Sequence, residues 1–389
     1  MQNPAVKYRA DIDGLRAVAV LSVLVFHAFP AALPGGFLGV DIFFVISGFL
    51  IFSIIYQNLQ RGNFSIADFY QRRIRRIFPA LLTILIATFV AGYYLFLPDE
   101  MQMLGKHVLG ATTFLSNFVL WNESGYFDKG NYLKPLMHLW SLAVEEQFYL
   151  VVPLLLWALW RRIPVWAVML VLVLASFAYS VYCTQTDMSA AFFSPLSRFW
   201  EIGAGCLAGF ALSNARSKEV IDGWKARQPV LLQVLNGASF LALVYSFTQL
   251  SETDRLPGWL ALPVILGTTM LLLGLSPKSP AHRLLALKPM VAVGLISYPL
   301  YLWHWPIISI LYILYGGMPP SLVLCYALVG SFVGATATYF LVEKPVRFAK
   351  PGSWWVPGVL LVLMLALAAL GYHYFSPEKI STLVMGNTL

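Results

Sequence analysis

Apolar runs of about twenty residues, the length a helix needs to cross the hydrocarbon core of a bilayer, recur along almost the whole chain. This feature constrains the fold more than any other. In lipid every backbone amide must find its partner within the protein, and only helices or closed barrels achieve that. Composition agrees, with 59% of residues hydrophobic and 11% charged, against about 25% charged in a soluble domain. A disordered chain, a nucleic-acid-binding module and a secreted disulfide scaffold are therefore poor fits. Cys183, Cys206 and Cys325 lie far apart, in or beside apolar segments and without metal-ligand spacing, so they read as packing residues and no metal site is expected. The fold class is all-α, a polytopic membrane protein.

Twelve candidate spans can be drawn, and the charges decide which of them cross. If all did, the basic connections at Arg161-Arg162, 216–227, 278–288 and 344–350 would face the opposite side from Lys7, Arg9 and Arg72 to Arg76. That opposes the positive-inside bias. The segment 104–121 carries Lys106, His107 and a polar middle of Thr112, Thr113, Ser116 and Asn117. Taking it out of the membrane places twenty of the 26 Lys and Arg on one side and five on the other, with Arg198 inside a span. The expectation is about 11 transmembrane helices, near 17–29, 38–57, 77–97, 137–160, 164–183, 195–213, 230–250, 258–275, 290–313, 320–341 and 354–373. The N-terminus is then cytoplasmic, and residues 98–136 form an outer loop holding an amphipathic or re-entrant helix. The C-terminal tail from about Tyr374, with Lys379, is extracytoplasmic. Pro153, Pro263, Pro299 and Pro306 fall within spans, where a missing N–H favours kinks.

Ionisable residues inside spans are costly in lipid and so mark cavities, partners or function. Arg16 and His27 stand eleven residues apart on the first helix, which returns them to within about 20° of each other with a rise of roughly 16 Å. Asp41 opens the second span after the Pro34-Gly35-Gly36 turn, at a level expected to match His27. His138, Ser141, Glu145 and Glu146 occupy the start of the span near 137–160, Arg198 and Glu201 lie three apart in the next inward span, and His304 sits in Tyr301-Leu302-Trp303-His304-Trp305-Pro306. Histidines flanked by carboxylates suit general-base chemistry on a hydroxyl, a carboxylate orienting the imidazole that takes the proton. Structural ion pairs, such as Arg198 with Glu201 or Glu145, are the plainer reading, and a proton-coupled transporter would bury the same groups.

On the expected cytoplasmic side, Arg72, Arg73, Arg75 and Arg76 form two interleaved Arg-x-x-Arg pairs. Arginines at that spacing can hold phosphate oxygens bidentately, or grip anionic lipid as a topological anchor. Among the described motifs of the sequence no Walker or G-x-G-x-x-G pattern offers another nucleotide site. Trp121, Tyr126 and Tyr132 in the outer loop suit stacking on a sugar as well as a place at the membrane interface.

Several of these motifs, in order, resemble the membrane acyltransferase family 3. The resemblance is carried by Asp11 to Val20 with His27, by Gly35-Gly36-Phe37-Leu38-Gly39-Val40-Asp41 through Ser47-Gly48-Phe49, and by the arginine cluster before Pro79. It continues in His138-Leu139-Trp140-Ser141 through Glu145-Glu146-Gln147-Phe148-Tyr149, Arg198-Phe199-Trp200-Glu201, Ser297-Tyr298-Pro299-Leu300-Tyr301-Leu302-Trp303-His304 and Val342-Glu343-Lys344-Pro345. Bacterial members of that family O-acetylate cell-surface polysaccharides. The resemblance implies transfer of an acyl group, usually acetyl, from cytoplasmic acetyl-CoA to a hydroxyl of an extracytoplasmic glycan such as lipopolysaccharide O-antigen, at the bacterial inner membrane. It maps the family's Arg and His onto Arg16 and His27 and its Arg-x-x-Arg onto the 72–76 cluster. His27, Asp41, Glu145, His304 and Ser141 become the candidate catalytic groups, with His27 as base or acyl relay. Arg16 and Arg72, Arg73, Arg75 and Arg76 become the candidate acyl-CoA contacts, and His138, Glu146, Arg198, Glu201, Ser297 and Tyr298 a supporting polar network. Residues 1–348 would form the ten-helix acyltransferase domain. Residues 349–389 add an eleventh helix and an outer tail, the arrangement that in fused members leads to an SGNH-type domain.

Overall fold

In the computed structural model of the protein, residues 8–124, 130–274, 279–348 and 354–376 are described. Tyr126, Lys7 and Lys379 lie outside them. The helices run α1 (Ala10–Ala28), α2 (Gly39–Gln60), α3 (Ile66–Leu95), α4 (Pro98–Thr112), α5 (Ser116–Glu123) and α6 (Leu139–Leu159). They continue as α7 (Val165–Thr186), α8 (Met188–Phe193), α9 (Pro195–Ser213), α10 (Ala215–Arg227), α11 (Pro229–Gln249) and α12 (Leu262–Gly274). The last are α13 (Pro280–Leu285), α14 (Lys288–Leu295), α15 (Ser297–Tyr315), α16 (Ser321–Thr338), α17 (Lys344–Arg347) and α18 (Trp355–Phe375). No strand occurs among the described residues.

Among the described residues seven helices are long and apolar enough to cross a membrane, and α14 with α15, bent by 67°, makes an eighth if the pair is one span. The chain is thus an all-helical, multi-pass membrane protein. The other expected spans correspond to α1 and α9, which carry Asp11, Asp13 and Arg16 or Arg198 and Glu201, and to the shorter apolar stretch Trp259–Gly274. The 104–121 segment is broken: α4 ends at Thr112, Phe114 takes a positive φ of 55°, and α5 lasts eight residues. Two helix starts differ from the expectation. α1 begins at Ala10, where Asp11 and Asp13 complement its N-terminal dipole. α3 begins at Ile66, so that the four arginines stand on the same helix as the span that follows. Pro263 and Pro299 fall in the first turns of α12 and α15, where a missing N–H costs nothing, while Pro153 and Pro306 are accommodated inside continuous helices.

The chain divides into two compact units. The first comprises Met1–Ile66 and Val144–Tyr301. Its interior helices are α1 and α2: Ala17, Ala19, Val20, Val23 and Ala28 are fully buried, and 78% of the α2 window is buried against only 17% for α7. Polar side chains therefore concentrate on helices shielded from lipid. α2 and α9 touch through glycine. A Cβ on Gly48 would stand 1.8 Å from the Ile202 carbonyl oxygen, and one on Gly205 would stand 1.9 Å from that of Val45. Helix association in membranes relies on such close van der Waals approach.

The second unit comprises Ala67–Ala143 and Leu302–Leu389. Here α4 lies against α18, with Gly105 and Gly371 each facing the other's carbonyl oxygen at 2.8 Å from a notional Cβ. The segment Asn131–Leu133 is pinned to α15: Ser309 donates to the Tyr132 carbonyl at 2.7 Å, and the Trp305 indole donates to that of Lys134 at 2.8 Å. Cys183 and Cys206 are buried as expected, whereas Cys325 is exposed and does not pack in a core.

Candidate active site

On α1 of the first unit the residues are buried except along two stripes. Val18, Leu21 and Val25 form an apolar stripe. Arg16 and His27 form the other, on the opposite side, as the 3.6-residue repeat requires. Val20 and Val23, between them on the same stripe, are fully buried. Arg16 and His27 are thus reached separately, not along one open channel on this helix face. Arg16 donates to Asp13 at 3.2 Å, so its guanidinium is already engaged with a carboxylate one turn before it.

Asp41, expected at the level of His27, is engaged by Arg198. Asp41 accepts from Arg198 Nη1 at 3.1 Å, and the same nitrogen donates to Glu201 at 2.6 Å. All three are at most 3% exposed, and the Arg198 guanidinium also lies 5.9 Å and 5.3 Å from the ring centres of Phe44 and Phe192. The cause is the glycine contact between α2 and α9, which brings Arg198 against the first turn of α2. Asp41 is accordingly part of a buried ion cluster with Arg198 and Glu201. Of the two partners suggested for Arg198, Glu201 is realised. Glu145 Oε1 accepts from Ser47 at 2.5 Å and from the Tyr149 hydroxyl one turn on. Glu145 and Glu146 are both half-buried. Ser297, at the start of α15, is fully buried and its hydroxyl has no hydrogen-bond partner among the described residues; Tyr298 beside it is half-buried.

In the second unit His138 and His304 pack edge-on with ring centres 5.7 Å apart, and both are buried, at 3% and 0% exposure. Ser141 donates to the His138 carbonyl at 3.2 Å and is itself buried. That hydrogen bond holds the first turn of α6. Among the histidines singled out in the sequence, only His27 is accessible.

The four arginines separate by exposure. Arg75 is 5% exposed, Arg72 is exposed, and Arg73 and Arg76 are half-buried. Arg73 also lies 5.8 Å from the centre of the Phe69 ring. The 73/76 pair is thus neither enclosed nor fully open, whereas the 72/75 pair combines one exposed and one buried arginine.

Sequence reasoning missed a charge cluster in the 98–136 segment. Glu123 meets Lys106 at 2.8 Å, His107 at 3.0 Å and Lys134 at 3.3 Å, and the Lys134 side chain is only 3% exposed. Burial alone would raise the Glu123 carboxyl. The hydrogen bond and charge of His107, then those of Lys106, outweigh it and hold Glu123 well below the usual carboxylate range. The signal available in sequence was a run of cations in a segment otherwise read as interfacial. Tyr132, expected as a sugar platform, is stacked on Tyr312 at 4.4 Å and beside Trp305 at 5.4 Å. Trp121 stacks with Phe118.

A family model described as an acyltransferase domain matches residues 9–373. The chain belongs to acyltransferase family 3. The O-acetyltransferase OatA of Staphylococcus aureus (strain MRSA252) is 30% identical over 388 residues, covering 92% of this chain and 62% of its own. The peptidoglycan O-acetyltransferase OatA of Listeria monocytogenes serovar 1/2a (strain ATCC BAA-679 / EGD-e) is 31% identical over 353 residues, covering 88% of this chain and 56% of its own. The chain thus spans less than two thirds of the length of these curated relatives. No solved structure matches it.

Proposed function

We propose that this chain moves an acetyl group from cytoplasmic acetyl-CoA to a hydroxyl of an extracytoplasmic cell-wall glycan. The observation that carries the reading is the Arg16/His27 stripe of α1 in a chain of this family. His27 accepts the proton of the attacking hydroxyl, whose oxygen forms a bond to the acyl carbonyl carbon. The carbon–sulfur bond breaks, and coenzyme A leaves as a thiolate that takes up a proton. A positioned imidazole contributes about 10²- to 10⁴-fold to such a step. Arg16 and the pair Arg73 and Arg76 bind donor phosphates through their positive charge. Arg72 faces anionic lipid headgroups, and Arg75 anchors its helix. Asp41, Arg198 and Glu201 fix α2 against α9, while Glu145 is held ready by Ser47 and Tyr149.

The acceptor follows the Listeria monocytogenes relative, a peptidoglycan O-acetyltransferase, which favours peptidoglycan over the lipopolysaccharide O-antigen. A transporter reading loses ground to the family assignment. The topology in this proposal has eleven crossings in a bacterial inner membrane, adding α1, α9 and Trp259–Gly274 to the eight, with the N-terminus cytoplasmic and Ser376 outside. An SGNH-type module would act after the membrane step. The test is mass spectrometry of peptidoglycan and lipopolysaccharide from cells with and without the protein. Acetyl groups that appear on peptidoglycan with the wild type and not with His27→Ala support the proposal. Unchanged acetylation of both glycans contradicts it.

A further inference from the structure

A groove of about 370 Å³ opens between α7, α9 and α12 of the first unit. It exists because α9 presents Ala204 and Ala208 where larger side chains would close the gap to Phe177 on α7 and to Ile265 and Thr269 on α12. Its wall is hydrocarbon apart from two polar groups. Thr269 satisfies itself by donating to the Ile265 carbonyl at 2.7 Å. The indole N–H of Trp200 is different: the residue lines the groove, is 3% exposed, and finds no acceptor among the described residues.

A buried N–H without an acceptor is unfavourable, more so inside a bilayer. Water is a poor remedy here, because an internal water needs two to four polar partners and this wall offers one donor. The occupant must be mostly hydrocarbon and carry one acceptor. No cationic side chain lines the groove, which disfavours a free carboxylate. A methylene takes up about as much space as a water, ~30 Å³, so the volume accepts a chain of roughly a dozen carbons.

We propose that this groove binds one acyl chain of a glycerophospholipid, with the chain's ester carbonyl accepting the hydrogen bond of the Trp200 indole. The lipid stands on the face of α9 that carries Trp200, Ala204 and Ala208. Arg198 points to a different face, toward Asp41, so the lipid braces the helix that holds the buried ion cluster.

The test uses the full chain in vesicles of ether-linked phosphatidylcholine, doped with an ester-linked phospholipid bearing a diazirine in its acyl chain. Photolabelling is mapped on α9 and α12 and compared with the exposed face of α18 at Val362 and Leu365, which reports general lipid contact. Labelling of α9 and α12 should reach half its maximum at a doping level about ten-fold lower than that of α18, the size of one dry hydrogen bond. An ether-linked diazirine probe should remove the gap without any change to the protein. Trp200→Phe should do the same, and Ala204→Trp should abolish α9 labelling while α18 labels as before. The proposal is overturned if α9 and α12 track α18 at every doping level, or if the gap survives with the ether probe.

Discussion

Replacing Arg198 with methionine removes the cation that binds two carboxylates in a buried cluster. Asp41 and Glu201 both accept from the same guanidinium nitrogen, at 3.1 Å and 2.6 Å, and neither is more than 1% exposed. Removing one partner from a buried ion pair typically costs about 3–5 kcal/mol, because the remaining charge is left without compensation. Two carboxylates on one cation put Arg198→Met at the upper end, a fall on the order of 10 °C in Tm for a protein of this size. The charge-free variant Asp41→Asn, Arg198→Met, Glu201→Gln keeps the shape and removes both carboxylates, so it should recover most of that loss. Thermal unfolding of the purified chain, followed by tryptophan fluorescence in one detergent at one pH, measures both. The reasoning fails if Arg198→Met melts within a degree of the wild type, or if the triple variant is as unstable as the single one.

Gly205→Ala should cost ~3 kcal/mol or more, since its new methyl would meet the Val45 carbonyl oxygen at 1.9 Å; a Tm within a degree of the wild type contradicts the close helix contact. Glu123→Gln should lower stability by ~2 kcal/mol, a charge-assisted hydrogen bond's worth. Because the folded Glu123 carboxyl is held low, that contribution is present above its unfolded pKa of about 4.3 and is lost as pH falls through the lower folded value. The stability gap between wild type and variant should persist from neutral pH to about 5, and a gap that closes above that pH contradicts the assigned charge state. Arg73→Ala and Arg76→Ala should each raise the KM for acetyl-CoA about ten-fold with little change in kcat, while Arg72→Ala changes neither. Steady-state kinetics decide this, and an Arg72→Ala effect equal to the others overturns the assignment of the pair.

The membrane class and most helix positions were legible because apolar length is a local property; 195–213 and 230–250 coincide with α9 and α11 to within a residue. The α1 stripe was legible for the same reason, since helical repeat alone aligns Arg16 with His27. Partners across helices were not. Asp41 reads as a companion of His27 when only the first hairpin is considered, and nothing local reveals that Gly48 and Gly205 let α9 approach closely enough for Arg198 to claim it. Glu145 has the same history: Tyr149, one turn on, was visible as an i, i+4 neighbour, whereas Ser47 comes from a distant helix. The Glu123 cluster escaped because its cations, taken singly, look like interfacial charges, and only the folded segment brings Lys106, His107 and Lys134 to one carboxylate.

The central claim is a division of labour along α1, with Arg16 serving the donor and His27 the proton. Its most direct measurement is steady-state acetyl transfer by Arg16→Ala and His27→Ala over a range of acetyl-CoA concentrations. The account predicts a raised donor KM for Arg16→Ala, and for His27→Ala a kcat at least about a hundred-fold lower with donor affinity intact. A His27→Ala enzyme that keeps its kcat, or an Arg16→Ala enzyme with unchanged donor KM, would contradict it.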